Sequence, residues 1–186
     1  AVDVLHTLAY EGMGVFPDHG TNLATALWIA ARYLQAMTLL IAPFFIRIRF
    51  NPWKAVFAYA AVTGILLYAI FAGSFPLCYI EGAGLTLFKT GSEYVIVLML
   101  VGGGILLYSR RSAFDQAFVW LLLASIGLTI VSEICFTLYS DPYGFFNLLG
   151  HYLKMLSFYL IYKAVIETGM ARPYDLLYRR LKNSEE

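Results

Sequence analysis

Long apolar runs separated by short polar breaks organise this sequence. Residues 22–46, 53–73, 91–108 and 114–138 each read as one membrane-spanning helix, and residues 143–169 read as a fifth. Residues 1–16 are too short to cross a bilayer. They read as the end of a preceding helix, with Leu5, Leu8 and Ala9 on its apolar side. A turn follows at 17–22, where Thr21 or Asn22 is placed to cap the first span. Pro43 is expected to kink the far end of that span. The connector at 73–91 has too many apolar residues for a solvated loop and is expected to fold back as a cap. Gly102, Gly103 and Gly104 predict either close helix contact or a bend. The fold class is all-α: a polytopic transmembrane helix bundle of five full spans plus the end of a preceding helix.

The last span departs from the others. Asn147, His151, Lys154 and Ser157 recur at i, i+4, i+7 and i+10, so a helix puts them on one face. Lipid would not accept an ammonium there, so this face should look into protein or a wet cavity. Beyond it, residues 170–186 form a basic segment read as a cytoplasmic linker toward an effector domain, leaving 1–169 as the integral membrane domain.

Composition strengthens the membrane reading. The chain has 186 residues, 60 % hydrophobic and 13 % charged, with a mean hydropathy of +0.70. Soluble domains are nearer half apolar and a quarter charged. The net charge of +1 gives no argument for a nucleic-acid partner. Cys78 and Cys135 are too few for a framework, although both fall on the same side of the bundle, where a single disulfide is an alternative to two free thiols.

Charge placement fixes an expected orientation. Arg47, Arg49, Lys54, Arg110, Arg111, Arg172, Arg179, Arg180 and Lys182 fall on one side, against Lys89 alone on the other. Lysine and arginine favour the cytoplasmic side, so the C-terminus is expected inside and the domain in a bacterial inner membrane, with the bilayer as its first partner.

With that orientation, ionisable groups collect in the outer half. His6, Tyr10, Glu81, Lys89, Glu93 and Glu133 lie near outer ends, Asn147 and His151 a turn or two deeper, and Arg32 and Lys154 near mid-membrane. A charge at that depth costs about 3 kcal/mol on insertion scales. Two accounts compensate it. In one, Glu93 or Glu133 neutralises Arg32 or Lys154 and the cluster only staples helices. In the other, these ten residues form a polar pocket for a small polar or anionic ligand. Tyr33, Tyr79 and Tyr94 would add aromatic lining. His6 and His151 permit a different class of function, a haem- or metal-binding redox protein, set against the plainer reading of hydrogen-bonded core histidines. His19 reads as solvated. A transport or proton path through Glu93, Glu133 and His151 is disfavoured because the inner half lacks matching polar groups. There is no Ser/His/Asp, P-loop or zinc-hydrolase motif, so no catalytic residue, metal ligand or cofactor is assigned.

Several stretches carry a more specific pattern: LHTLAYEGMGVF at 5–16, NLATALWIAARYL at 22–34, FPLCYIEGAGLTLFK at 75–89, SEY at 92–94, SE at 132–133, GHYLK at 150–154, KAVIETG at 163–169 and PYDLL at 173–177. Together they resemble the bacterial membrane-associated sensor domain of the third MASE type along nearly the whole chain. The resemblance implies an N-terminal sensory module of histidine kinases and diguanylate cyclases, without enzymatic activity of its own, acting as a homodimer on an effector in the same chain. It also implies a further membrane helix before residue 1. The sequence departs from the pattern at Glu11, Ala24, Ala26 and Gln35, where lysine, proline, glutamine and glutamate are usual.

Overall fold

The computed structural model describes residues 1–17, 19–47, 51–138 and 144–166. The helices are α1 (Val2–Leu8), α2 (Gly20–Ile41), α3 (Pro52–Phe71), α4 (Leu87–Ser109), α5 (Gln116–Leu138) and α6 (Phe145–Tyr162). Short 3₁₀ turns follow α2 (Ala42–Arg47) and α4 (Arg111–Ala113). An antiparallel pair, β1 (Tyr79–Ile80) and β2 (Gly84–Leu85), lies between α3 and α4, with Tyr79 opposite Leu85. The chain divides into two compact units, Ala1–Met99 and Leu100–Glu186.

Four helical stretches are long and apolar enough to cross a membrane: Gly20–Phe45, Pro52–Phe71, Leu87–Ser109 and Gln116–Leu138. The protein is an all-α membrane protein. The expected fifth span is not among the four. At 18 residues α6 is about 27 Å long, close to the hydrocarbon thickness, but its polar stripe lowers its apolarity.

Local signals explain most boundaries. α2 opens at Gly20, whose φ of +57° suits glycine; a Cβ there would also stand 2.9 Å from Glu81 Oε1. The cap expected from Thr21 or Asn22 is absent: His19 is the N-cap residue, it is exposed, and it makes no side-chain cap bond. α2 tightens to 3₁₀ geometry at Ala42, one residue before Pro43, which cannot donate to the helical ladder. Asn51 caps α3 by accepting from Trp53 N at 3.0 Å, with Pro52 opening the helix. Asp115 does the same for α5, accepting from the amides of Ala117 (2.9 Å) and Phe118 (3.3 Å).

The first segment is shorter than expected. α1 ends at Leu8, and its buried positions are Val2 and His6, joined by Ala9 just past the end, rather than Leu5 and Leu8. Lys89, expected in the connector, belongs to α4, which starts at Leu87 rather than residue 91. The glycine run does not interrupt α4; Gly104 approaches the side chains of Leu123 and Ile126, as close contact requires. The connector keeps Cys78 fully buried, while its Leu77 and Ile80 remain exposed, so it is held by a few anchors and not by a broad apolar face.

The expected turn at 139–142, the residues Asp18 and Arg49, and the basic segment from Arg172 to Lys182 lie outside the described residues.

Candidate functional site

In the first unit, α1 lies on α2 through a polar and aromatic corner. Trp28, Arg32 and Gln35 share one face of α2, and Asp3 and His6 share one face of α1. Arg32, 2 % exposed, is paired to the Asp3 carboxylate. Its Nη1 donates to Gln35 Oε1 at 2.6 Å, and its guanidinium sits 4.5 Å above the Trp28 ring. Delocalised charge, planar donors and an indole face together make a mid-helix arginine tolerable. His6 packs against Trp28 (5.1 Å between ring centres) and edge-on to Tyr10 (5.2 Å). Its Nδ1 lies 2.8 Å from the carbonyl of Ala24. A carbonyl only accepts, so Nδ1 carries a proton and donates it to Ala24.

The connector is fastened to α2 by Asn22. Its Oδ1 accepts from the amides of Cys78 (2.8 Å) and Tyr79 (3.0 Å). Thr86 closes the hairpin: Oγ1 donates to Leu77 O at 2.7 Å and accepts from Lys89 N at 3.2 Å. Lys89 and Glu93, four residues apart on α4, form an ion pair of 2.7 Å with side chains 1 % and 0 % exposed. Burial pushes the Cys78 thiol up to about 12; the Lys89 ammonium draws it down and the Glu93 carboxylate adds a further push upward. Glu81 is exposed beside the first residue of α2.

In the second unit, α5 and α6 meet along a polar seam. Ser125 and Ser157 exchange hydroxyl and carbonyl contacts at 2.9 to 3.1 Å, Thr129 Oγ1 lies 2.6 Å from Ser157 Oγ, and Ser132 donates to the Gly150 carbonyl at 2.8 Å. Gly150 allows this approach: a Cβ there would stand 2.7 Å from the Phe136 ring. Lys154 Nζ meets Glu133 Oε1 at 2.8 Å, with side chains 5 % and 0 % exposed. Glu133 Oε2 is also buried, and has no hydrogen-bond partner among the described residues. One turn above, His151 Nδ1 donates to the Asn147 carbonyl at 2.8 Å and its ring abuts Phe136 edge-on at 5.0 Å.

Within the first unit, His6, Tyr10 and Arg32 lie at the α1–α2 corner, Lys89 pairs with Glu93 on α4, and Glu81 is exposed beside Gly20; within the second, Glu133, Asn147, His151 and Lys154 lie on α5 and α6. Of the expected pairings, Glu133 with Lys154 is present. Arg32 takes Asp3, and Glu93 takes Lys89. Tyr33 and Tyr79 are half-buried and Tyr94 is exposed. Both cysteines are free thiols. The described residues contain no cluster of three or more His, Cys, Asp or Glu suited to a metal ion.

The sequence reading missed Asp3, Asn22 and Trp28 as site residues, and the stripe Ser125, Thr129 and Ser132 that leads to Glu133 on α5. That stripe follows the same helical spacing as the one on α6 and was available as a signal. Nothing in the spacing ties Asn22 to residues 78 and 79.

Helices carrying buried acid–base pairs, four of their stretches long and apolar enough to cross a membrane, define an integral membrane module. The chain belongs to the MASE3 family, the membrane-associated sensor domains, whose family model matches residues 1–173. The family is defined by sensing and is not itself catalytic. No curated protein and no solved structure matches the chain.

Proposed function

We propose that this sensor domain binds a small polar molecule through the buried groups of its outer half and passes the signal along α6. The observation that carries the reading is Glu133. It is fully buried, Lys154 satisfies one oxygen, and the other has no partner among the described residues. A buried carboxylate oxygen calls for a donor, and a ligand hydroxyl or amine would supply it. Lys154 already holds the Glu133 carboxylate, so the ligand completes an existing pair instead of neutralising a bare cation. Because Glu133 and Lys154 bridge α5 and α6, a ligand preferring one geometry of the pair shifts α6. Residues 1–169 would form the sensor and 170–186 the link to a cytoplasmic effector of the same chain, a histidine kinase or diguanylate cyclase acting as a homodimer. Arg110 and Arg111 at the α4–α5 turn and Lys54 opening α3 support an inner-membrane placement with a cytoplasmic C-terminus and α6 as a fifth span. The test is output of the full-length protein with Lys154→Met and Arg32→Gln. Lost response in folded variants is expected; a normal response from both overturns the proposal.

A second reading has its own support. His6 and His151 each hold Nδ1–H against a backbone carbonyl, the arrangement that fixes metal-bound imidazoles with Nε2 as the basic nitrogen. Haem or metal binding predicts a visible absorption band or stoichiometric metal in the purified protein. A colourless, metal-free preparation removes it.

A further inference from the structure

The turn between α4 and α5 carries a cavity of about 320 Å³, lined by Arg111, Ser112, Phe114, Gln116, Val119 and Trp120. It lies where two membrane-crossing stretches end, Leu87–Ser109 and Gln116–Leu138, and so at a lipid–water boundary. Tyr108 and Trp120, both about half exposed, pack edge-on at 6.4 Å, as aromatic residues do at that depth.

We infer that this cavity binds the headgroup of an anionic phospholipid. Arg111 is held in place for it. Its Nη1 donates to the Tyr108 carbonyl at 3.1 Å and its guanidinium stacks 4.2 Å above the Tyr108 ring. A planar cation fixed on its stem presents its remaining N–H groups to a phosphate with little further loss of freedom. Among the described residues no carboxylate forms an ion pair with Arg111. The nearby Asp115 carboxylate faces the opening amides of α5, which are therefore not the anion site. Ser112 and Gln116 add hydrogen-bonding groups at the rim. Phe114, Val119 and Trp120 supply apolar wall, and Phe114 is braced by stacking on Phe118 at 5.3 Å. A soluble phosphate would use only the rim. A phospholipid uses both rim and wall, with its phosphate at Arg111 and its glycerol and first methylenes against the aromatic side.

The experiment measures lipid retention by native mass spectrometry on the full chain in nanodiscs. These contain phosphatidylglycerol and phosphatidylcholine with identical acyl chains. Preferential retention of phosphatidylglycerol is expected, with Arg111→Gln reducing it about fivefold, the effect of one basic residue at an anionic surface. Arg110→Gln, equal in charge but outside the cavity, should leave retention near that of the parent. Equal losses from the two variants would mean general surface attraction and overturn the site, as would absence of headgroup preference. Displacement by millimolar inorganic phosphate would overturn the lipid assignment. If Arg111→Gln does not fold, Arg111→Lys decides: the site predicts a partial loss from removing the planar fork, and undiminished retention contradicts it.

Discussion

Replacing Lys154 by Met leaves Glu133 fully buried in the α5–α6 seam with neither oxygen held by a cation. The pair is 2.8 Å apart with side chains 5 % and 0 % exposed, so solvent screens little of what is lost. Removing one member of such a pair costs about 3–5 kcal/mol, mostly for the stranded charge and not for the bond. At 1.4 kcal/mol per factor of ten, the unfolding equilibrium moves more than about a hundredfold. Glu133→Gln strands the ammonium instead and should cost a similar amount. The double variant Glu133→Gln/Lys154→Met strands neither, and should lie within about 1–2 kcal/mol of the parent. The coupling energy is then about 4 kcal/mol or more. Interhelical polar contacts between neutral groups in membranes average well under that, because alternative partners exist in the unfolded state. The assay is reversible unfolding in mixed micelles, followed by helix content, for the four members of the cycle. Additive single effects, with coupling below about 0.5 kcal/mol, would refute the claim that this pair is a desolvated unit.

Gly150→Ala should destabilise the protein by about 1–3 kcal/mol, because the new methyl meets the Phe136 ring; adding Phe136→Leu should recover much of the loss in the same assay. Ser157→Ala deprives both Ser125 and Thr129 of a partner and should cost about 1–2 kcal/mol. Asn22→Ala removes the acceptor of two connector amides, so hydrogen exchange at Cys78 and Tyr79 should accelerate well beyond exchange in α5. Cys78 gives a pH signature: its folded thiol, at about 12, keeps a proton that the unfolded thiol loses near 9.0. The folded form binds more protons in that window, so its stability falls as pH rises from 9.0 toward 12. Maleimide labelling of Cys78 should be slow at pH 8 and faster in Asn22→Ala.

The helical order was legible because lipid demands long apolar runs, and Pro43, Pro52 and the polar breaks punctuate them. Lys89 misled because the connector and α4 are equally apolar at residues 85–88, so hydropathy does not mark the boundary between them. The polar stripe on α6 was legible from its spacing, and the structure turns Lys154 and Ser157 to α5 as that spacing requires. The matching stripe on α5 was present in the spacing but easily overlooked, because serine and threonine scarcely interrupt an apolar run. Which acid meets which base was not legible. Asp3 reaches Arg32 across 29 positions, and Asn22 reaches the connector across 56, distances that only the fold closes. Glu11 and Gln35, where the sequence departs from the family pattern, both take local partners: Glu11 accepts from Thr21 at 3.4 Å and Gln35 from Arg32.

The most direct test of ligand binding at Glu133 compares molecules retained by the parent chain and by Glu133→Gln/Lys154→Met, the variant expected to fold. Both are purified in native lipid and their contents identified by untargeted mass spectrometry. The account predicts a small polar molecule present in near-stoichiometric amount in the parent and lost from the double variant. Retention of the same molecules by both proteins would contradict it.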